Sequence, residues 1–370
     1  MTVDEAPDLV AAARQVADSV LAPSAEETDR APVVPAGHLD ALAAAGLNGL
    51  SGPRSAGGSD APAAVVRQVY EALAGACGVT FFTWVQHHAP VRLVASSDNL
   101  ALRERWLPVL CGGTVLGGVA FAYLRRPGPP AVVARRAAGG WMVDGEAPWV
   151  TSWGLAGLYA VAARVAGDGP VLFSAVAPAG SPASGSLRAS PPLALAAMSA
   201  SATVRLAFDG LFVPDEDVIS TIDMSRWEHH DRAATAQPHP APLGLAATAT
   251  ALLARLAEDS GQAAVASAAE ALGGELAECR LHSYRLADDP SSDETHLARL
   301  RVARAWGLDL ALRSAQALVA ATGGGAMALS HPGQRLVREA SFWSIQAQSE
   351  AVRAATLARL VARQPPEPAS

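Results

Sequence analysis

Lysine is absent from the 370 residues, so all 28 basic side chains are arginines. Alanine is abundant, and GC-rich coding is the simplest cause of both. Charge is scarce as well: 17% of residues are charged and the net charge is −7. That excludes the clustered basic stripe a nucleic-acid surface needs. The three cysteines, Cys77, Cys111 and Cys279, are scattered and odd in number. They offer neither metal-ligand spacing nor a disulfide framework, which fits a reducing compartment. The opening stretch MTVDEAPDLVAAARQVADSV lacks the basic segment and apolar core of a signal peptide. Long apolar runs are broken by Gly, Pro or charge before they reach a membrane span. These absences predict a soluble cytoplasmic protein without nucleic-acid or membrane partners. Half of the residues are hydrophobic, enough for a large core and for two or three structural units.

The pattern along the chain changes twice. From Pro7 to about Val109 it is helical: DLVAAARQVADSVLAP ends at Pro23, and VPAGHLDALAAAGLNGL stops at Gly46. Two helices follow around Gly78, and another ends before Gly112. From about Gly113, short β-type runs are separated by Gly, Pro, Asp and Ser at the spacing of an antiparallel barrel or sandwich. Strands stop near Pro214, and MSRWEHHDRAATAQPHPAP reads as a polar connector. Helical periodicity then runs from Leu243 to Ala362. Helices, strands, helices is a segregated α+β order. The implied domains are 1–112, 113–222 and 223–370. PAGSPASGSLRASPP is a small Ser/Pro-rich loop.

EAPWVTSWGLAGLYAVAARV raises a sharper question. Trp149, Thr151 and Ser152 suit an ordinary strand, since aromatic and branched side chains fit a half-buried pleat. They also suit a surface that holds a flat ligand. Five segments bear on the choice: PVVPAGHLDALAAAGLNGLSGPRSAGGSD, LRERWLPVLCGGTVLGGVAFA, GGWMVDGEAPWVTSWGLAGLYAVAA, AMSASATVRLAFDGLFVPDEDVI and ATGGGAMALSHPGQRLVREASFWSI. In this order they resemble the motifs of the acyl-CoA dehydrogenase family, over nearly the whole chain. The resemblance implies an N-terminal helical domain, a central β-domain and a C-terminal four-helix bundle. It also implies FAD between the β-domain and the bundle, an acyl-CoA substrate of lipid metabolism, and a homodimer or homotetramer. In the family that Trp lies against the isoalloxazine and the Thr bonds to the flavin edge, which here are Trp149 and Thr151, followed by Ser152. An indole shields a ring face and a hydroxyl fixes its edge.

Three departures stand against the standard chemistry. Removal of an α-proton needs a base, yet the family's glutamate position falls on Ala347 and its alternative position near Ala234. Glu350, one turn from Ala347, is either a substitute base or a solvated helix glutamate. Gln346 and Gln348 can bond a substrate but cannot take a proton. Secondly, the strand that carries Thr-Glu-Pro in the family reads YLRRPGPP. Arg125 and Arg126 there face an anionic substrate or simply solvent at a turn. Thirdly, the diphosphate grip is thin: AEDSG leaves only Gly261, and a glutamine position is Ala320. Gly323, Gly324 and Gly325 allow close approach of a cofactor, although a turn between helices needs glycine too.

Of the nine histidines, His87-His88 and His229-His230 are adjacent pairs on different helix faces. No His-x-x-x-His spacing occurs, so no metal site is expected. His230 with Asp231 is either a surface feature or a replacement acid/base pair. Three functions follow from these residues. One is a flavin oxidoreductase that dehydrogenates an acyl thioester or similar carbonyl compound. Another is a two-component monooxygenase fed with reduced flavin by a separate reductase. The last is a base-less partner subunit in a heteromer whose other chain is catalytic. The apolar LALRSAQALVAATGGGAMAL further predicts at least a dimer through the bundle.

Overall fold

The computed structural model describes residues 8–167, 169–178 and 187–362. The centre of the Ser/Pro-rich loop lies outside them. The chain divides into two compact units, 1–73 with 77–228, and 74–76 with 229–370.

In the first unit, Asp8 caps α1 (Leu9–Val16) by accepting from the N–H groups of Val10 and Ala11. A π turn and a 3-10 turn (Ala22–Ser24) lead directly into α2 (Ala25–Arg30). Pro23 therefore does not end the helical path. It sits at the start of the 3-10 turn, where a missing N–H costs nothing. Next come α3 (Ala36–Ala44), α4 (Ala63–Ala76), α5 (Gly78–Val85), α6 (His88–Ala95) and α7 (Leu100–Cys111). The region around Gly78 holds three helices rather than two. The extra break comes at His87, whose ring is fixed from both sides. Its Nδ1 accepts from the Gly117 N–H (2.8 Å) and its Nε2 lies 3.2 Å from the Asn48 carbonyl.

The sheet comprises β1 (Gly117–Ala120), β2 (Val132–Ala137), β3 (Gly140–Val150), β4 (Leu158–Val165), β5 (Val171–Val176), β6 (Leu187–Ala189), β7 (Val204–Pro214) and β8 (Val218–Ile222). Its order is β6-β7-β3-β2-β4-β5-β8, with β1 beside β4. Most pairs are antiparallel, but β1 and β2 both run parallel to β4, so the sheet is mixed where the spacing suggested purely antiparallel. The cause is topological: β2 and β3 form a hairpin, and the segment after β3 returns the chain on the far side of β2. Two strands escaped the sequence reading. β6 and β8 have three and five residues, too short to show a period, and β8 lies beyond Pro214. β7 alternates buried and exposed residues, whereas every residue of β5 is buried. Leu158, Tyr159, Leu172, Phe173 and Leu206 fill the core against the sheet.

A correction concerns the polar connector, most of which is helical: α8 (Met224–Ala236). It ends where Pro238 and Pro240 forbid continuation. The second unit then runs α9 (Pro240–Ser260), α10 (Ala263–Asp288), α11 (Glu294–Thr322), α12 (Pro332–Trp343) and α13 (Glu350–Val361). Helices α9, α10 and α11 pack on one another, α13 packs on α11, and α12 lies on α9 and α11. Within the helical stretch Met224–Ser260 one window reaches a mean hydropathy of 1.2, enough by composition for a membrane span, and half of it is buried inside the protein. The sequence reading passed over this window. Charge locks the helices together. Glu275 on α10 accepts from Trp306 Nε1 (2.7 Å) and Arg313 Nη1 (2.8 Å) of α11. Asp309 accepts from Arg313 Nε (3.0 Å) and from Arg359 Nε of α13 (3.2 Å).

Candidate active site

Trp149 does not sit in an ordinary strand. Between Ala147↔Leu206 and Val150↔Val204, β3 holds one residue more than β7, and this bulge turns the indole outward. Its φ is +61° and the residue is 52% exposed. Just beyond, Thr151 and Ser152 are buried, and Ser152 also has a positive φ of 67°. The segment facing them repeats the device, with Met198 at 61° and Ala202 at 49°. Cross-links hold both segments in place. The Ser152 N–H donates to Ser201 O (2.9 Å) and the Trp153 N–H to Ala202 O (3.2 Å). Tyr159 OH donates to Ser152 O (2.7 Å), and Ser152 OH to Thr83 O (3.2 Å). Thr151, Thr203 and Ser201 form a chain of buried hydroxyls.

Six non-glycine residues among those described have positive φ, and four of them lie on these two segments. Each left-handed residue costs on the order of 1 kcal/mol and persists only where the surroundings over-determine it. A fifth is Ala347, at φ 49°, on the loop 344–349 between α12 and α13. Backbone strain thus gathers at the two places the motifs single out. Sequence reasoning had no signal for it, because none of these residues is glycine.

The loop around Ala347 is held by Arg304, a buried residue of α11. Arg304 Nη2 donates to Gln346 O (2.8 Å), and Nη1 to Thr235 O (3.0 Å) and Gln237 O (3.3 Å). Gln348 Nε2 donates to Ser344 O (2.8 Å), while Gln348 Oε1 accepts from Arg353 (3.2 Å). Gln346 Oε1 is buried and has no hydrogen-bond partner among the described residues. Nearby, the ring of His239 stacks on Trp343 at 5.1 Å, and its Nδ1 accepts from the Ala241 N–H. Desolvation, helped by the Arg304 charge, pushes the His239 pKa down to about 3. Arg304 and Trp343 escaped the sequence reading, since a lone arginine in a long amphipathic helix looks like surface.

The remaining candidates are more dispersed. Glu350 is exposed at the first position of α13, where a carboxylate suits the helix dipole. His230 and Asp231 lie on α8 rather than on a loop; His230 is exposed and Asp231 half-buried. In the first unit, Arg125 ends a 3-10 turn after β1, half-buried, and Arg126 is exposed. His87 and His88 are core residues. Burial pushes the His87 pKa down to about 4, and that of His88 lies well below the ordinary histidine value for the same reason. Among the described residues, no group of three or more His, Cys, Asp or Glu side chains converges as metal ligands would.

The test of a flavin is chemical. An outward-held indole beside a buried hydroxyl fits an isoalloxazine face and edge, so the first unit fits the ring. In the second unit, Gly323 needs glycine for its φ of 73°, but a Cβ on Gly324 or Gly325 would meet nothing within 4 Å. Packing within the chain therefore does not demand those two glycines. Gly261, at φ 66°, ends α9, and Ala257–Ser260 supply no cation for a diphosphate.

Comparison with known proteins bears on the fold. Residues 4–114 match the family model described as acyl-CoA dehydrogenase, N-terminal domain. The solved butyryl-CoA dehydrogenase of Megasphaera elsdenii superposes with a TM-score of 0.80 at 19% identity, covering 97% of this chain and 99% of that one. The chain has the acyl-CoA dehydrogenase fold. Dibenzothiophene monooxygenase of Paenibacillus sp. A11-2 shares that fold with a TM-score of 0.78 at 14% identity, over 95% of this chain and 96% of its own. A curated relative, 3-sulfinopropanoyl-CoA desulfinase of Variovorax paradoxus, is 26% identical over 173 residues, 44% of this chain and 41% of that protein. The match thus spans about two fifths of the relative's length. The acyl-CoA dehydrogenase fold hosts both dehydrogenases and a monooxygenase, so fold alone does not choose the reaction.

Proposed function

We propose that the chain is a flavin-dependent oxidoreductase whose flavin ring is held at Trp149, Thr151 and Ser152. The observation that carries this is the bulged, half-exposed Trp149 beside a buried hydroxyl, both kept in place by a strained, cross-linked backbone. Gly323, Gly324 and Gly325 are assigned to cofactor contact in the same reading. When bound, the flavin supplies hydride or oxygen chemistry. Trp149 would shield and anchor the ring and Thr151 would fix its edge, while Ser152, bonded within the chain, holds the turn between them.

Two reactions divide the reading. The loop 344–349 reads Ser-Ile-Gln-Ala-Gln-Ser and offers no carboxylate. This favours oxygenation, with O2 as the oxidant and reduced flavin delivered from a reductase as the electron source, as in a two-component monooxygenase, where the protein would need neither a strong base nor a tight diphosphate grip. Dehydrogenation of an acyl thioester is the second reading. The coenzyme A thioester in the name of the curated relative favours it. In that case Glu350, or His230 with Asp231, takes the proton, and Gln346 and Gln348 contact the substrate. If another chain supplies the base, this chain is its partner subunit. The exposed Met327, Leu329 and Ile345 of the second unit support at least a dimer, which a solution mass measurement tests.

Titration with flavin is the first experiment. Trp149→Ala should weaken binding roughly ten- to hundredfold, since stacking and burial of an indole are together worth about 1–3 kcal/mol. An unchanged titration sinks the flavin reading and leaves the partner subunit. Anaerobic mixing with acyl thioesters then sorts the chemistry. Bleaching of a bound yellow flavin there indicates dehydrogenation, and, in a separate aerobic assay with added reduced flavin, protein-dependent incorporation of an oxygen atom from O2 into a substrate indicates a monooxygenase. If Ala347→Glu gains dehydrogenation, the site lacked only its base.

A further inference from the structure

A dinucleotide flavin needs two grips, one on its ring and one on its diphosphate, and the chain is built unequally for them. For the ring, Trp149 stands out at the β3 bulge, 52% exposed, with Thr151 buried just beyond it. The positions that the resemblance gives to the diphosphate, 257–261, Ala320 and 323–325, lie in the second unit. Ala257 belongs to the last turn of α9, and the two residues after it are Glu258 and Asp259, both exposed. Helix α9 ends there with Gly261 at φ 66°, and a helix C-terminus carries partial negative charge. A phosphate at this place would meet two carboxylates and the wrong end of a helix dipole. Arg255 is the nearest arginine in sequence, but residues two apart point to different sides of a helix. Ala320 is exposed and offers only a methyl group. The glycine turn follows the C-terminus of α11, where the dipole again opposes an anion. Thr322, next to it, uses its hydroxyl on Leu318 O (2.8 Å).

We infer that the chain recognises a flavin by its isoalloxazine ring alone, and so takes riboflavin and flavin mononucleotide (FMN) as readily as FAD. This rests on the reading that the ring lies at Trp149 and Thr151. One charge-assisted hydrogen bond to a phosphate oxygen is worth roughly tenfold or more in affinity. A protein that keeps FAD as a resident group through its diphosphate needs several of them. Here the ring carries the affinity and the adenylate adds none. The three glycines let a tail pass close but supply no side chain to hold it. The fold implies FAD, and these residues fit only its flavin half. A flavin held in this way exchanges with solution, as a reactant of the site rather than a fixture of it.

The test is the Kd of the full chain for riboflavin, FMN and FAD, measured side by side by calorimetry. Riboflavin should bind within about tenfold of FAD, the least that one phosphate bond would add. FAD tighter than riboflavin by more than that overturns the inference and reveals a diphosphate grip. Trp149→Ala should weaken all three flavins by a common factor. A loss for riboflavin that FAD does not share means that FAD is held elsewhere, and also overturns it. Glu258→Gln combined with Asp259→Asn, both at exposed positions, should leave riboflavin unchanged and FAD unchanged or tighter. Weaker FAD binding in that variant would place these residues in a working phosphate site and overturn the inference again. The flavin reading fails separately: in that case none of the three flavins binds, or Trp149→Ala changes no affinity, and ring recognition falls with it.

Discussion

The segments 149–152 and 198–202 and the loop 344–349 share a backbone device but not a chemistry. Both places hold non-glycine residues at positive φ, and both are fixed by hydrogen bonds from elsewhere in their own unit. In the first unit the strained residues include an exposed indole, and buried hydroxyls lie beside them in the chain. In the second, the strained residue is an alanine flanked by glutamines. Backbone strain therefore reports where a fold builds a site, while the side chains on it report what the site can do. An alanine held where it costs energy presents no group that could move a proton.

The comparison can be broken most strongly with acid. His87 and His88 in the first unit and His239 in the second are neutral when folded, with pKa values below the ordinary 6.5 because burial penalises charge. Their contribution is present above pH 6.5 and is lost as pH falls, down to about 4 for His87 and about 3 for His239. Each step is worth on the order of a few kcal/mol, and urea titrations between pH 7 and 4 should show a steep loss. If the units are equally built, both should weaken together. A next-smaller effect is expected from Arg304→Leu, which removes three charge-assisted bonds to backbone carbonyls. It should cost about 3 kcal/mol in chemical denaturation and increase hydrogen exchange at 344–349, leaving 149–152 unchanged. Comparable exchange in both segments would show that Arg304 does not act locally. The smallest effect sharpens the parallel. Ala347→Gly and Ala202→Gly should each raise stability by up to about 1 kcal/mol, because glycine adopts positive φ freely. A loss of stability in either variant would mean that the alanine Cβ packs better than its strain costs.

Much of the architecture was legible in the residues. The change from helical to alternating periodicity located the sheet, and five motifs in order suggested the fold that the superpositions show. Pro23 misled because a proline that ends one helix and one that opens the next look alike in a sequence. The connector misled in a similar way: MSRWEHHDRAATA is polar, yet only Trp227, Thr235 and Ala236 need be buried for α8 to form. The site was legible in part. Trp149 and Thr151 stood out by residue type, but the hydroxyls that line up behind Thr151 come from a segment fifty residues on, and pairing across β3 and β7 brings them together. Arg304 was invisible for the same reason, since its partners are backbone carbonyls, which have no sequence signature.

The outward turn of Trp149 has an optical consequence. It is the only one of the eight tryptophans in the chain that is exposed, whereas Trp84 and Trp343 are fully buried. Its emission should lie at the red edge of the protein's fluorescence and be the fraction most readily quenched by iodide. A flat ligand laid against that indole would quench it by contact and shield it from the ion at once. The bulge that holds the ring out thus makes the site its own reporter, readable in a cuvette before any substrate is known.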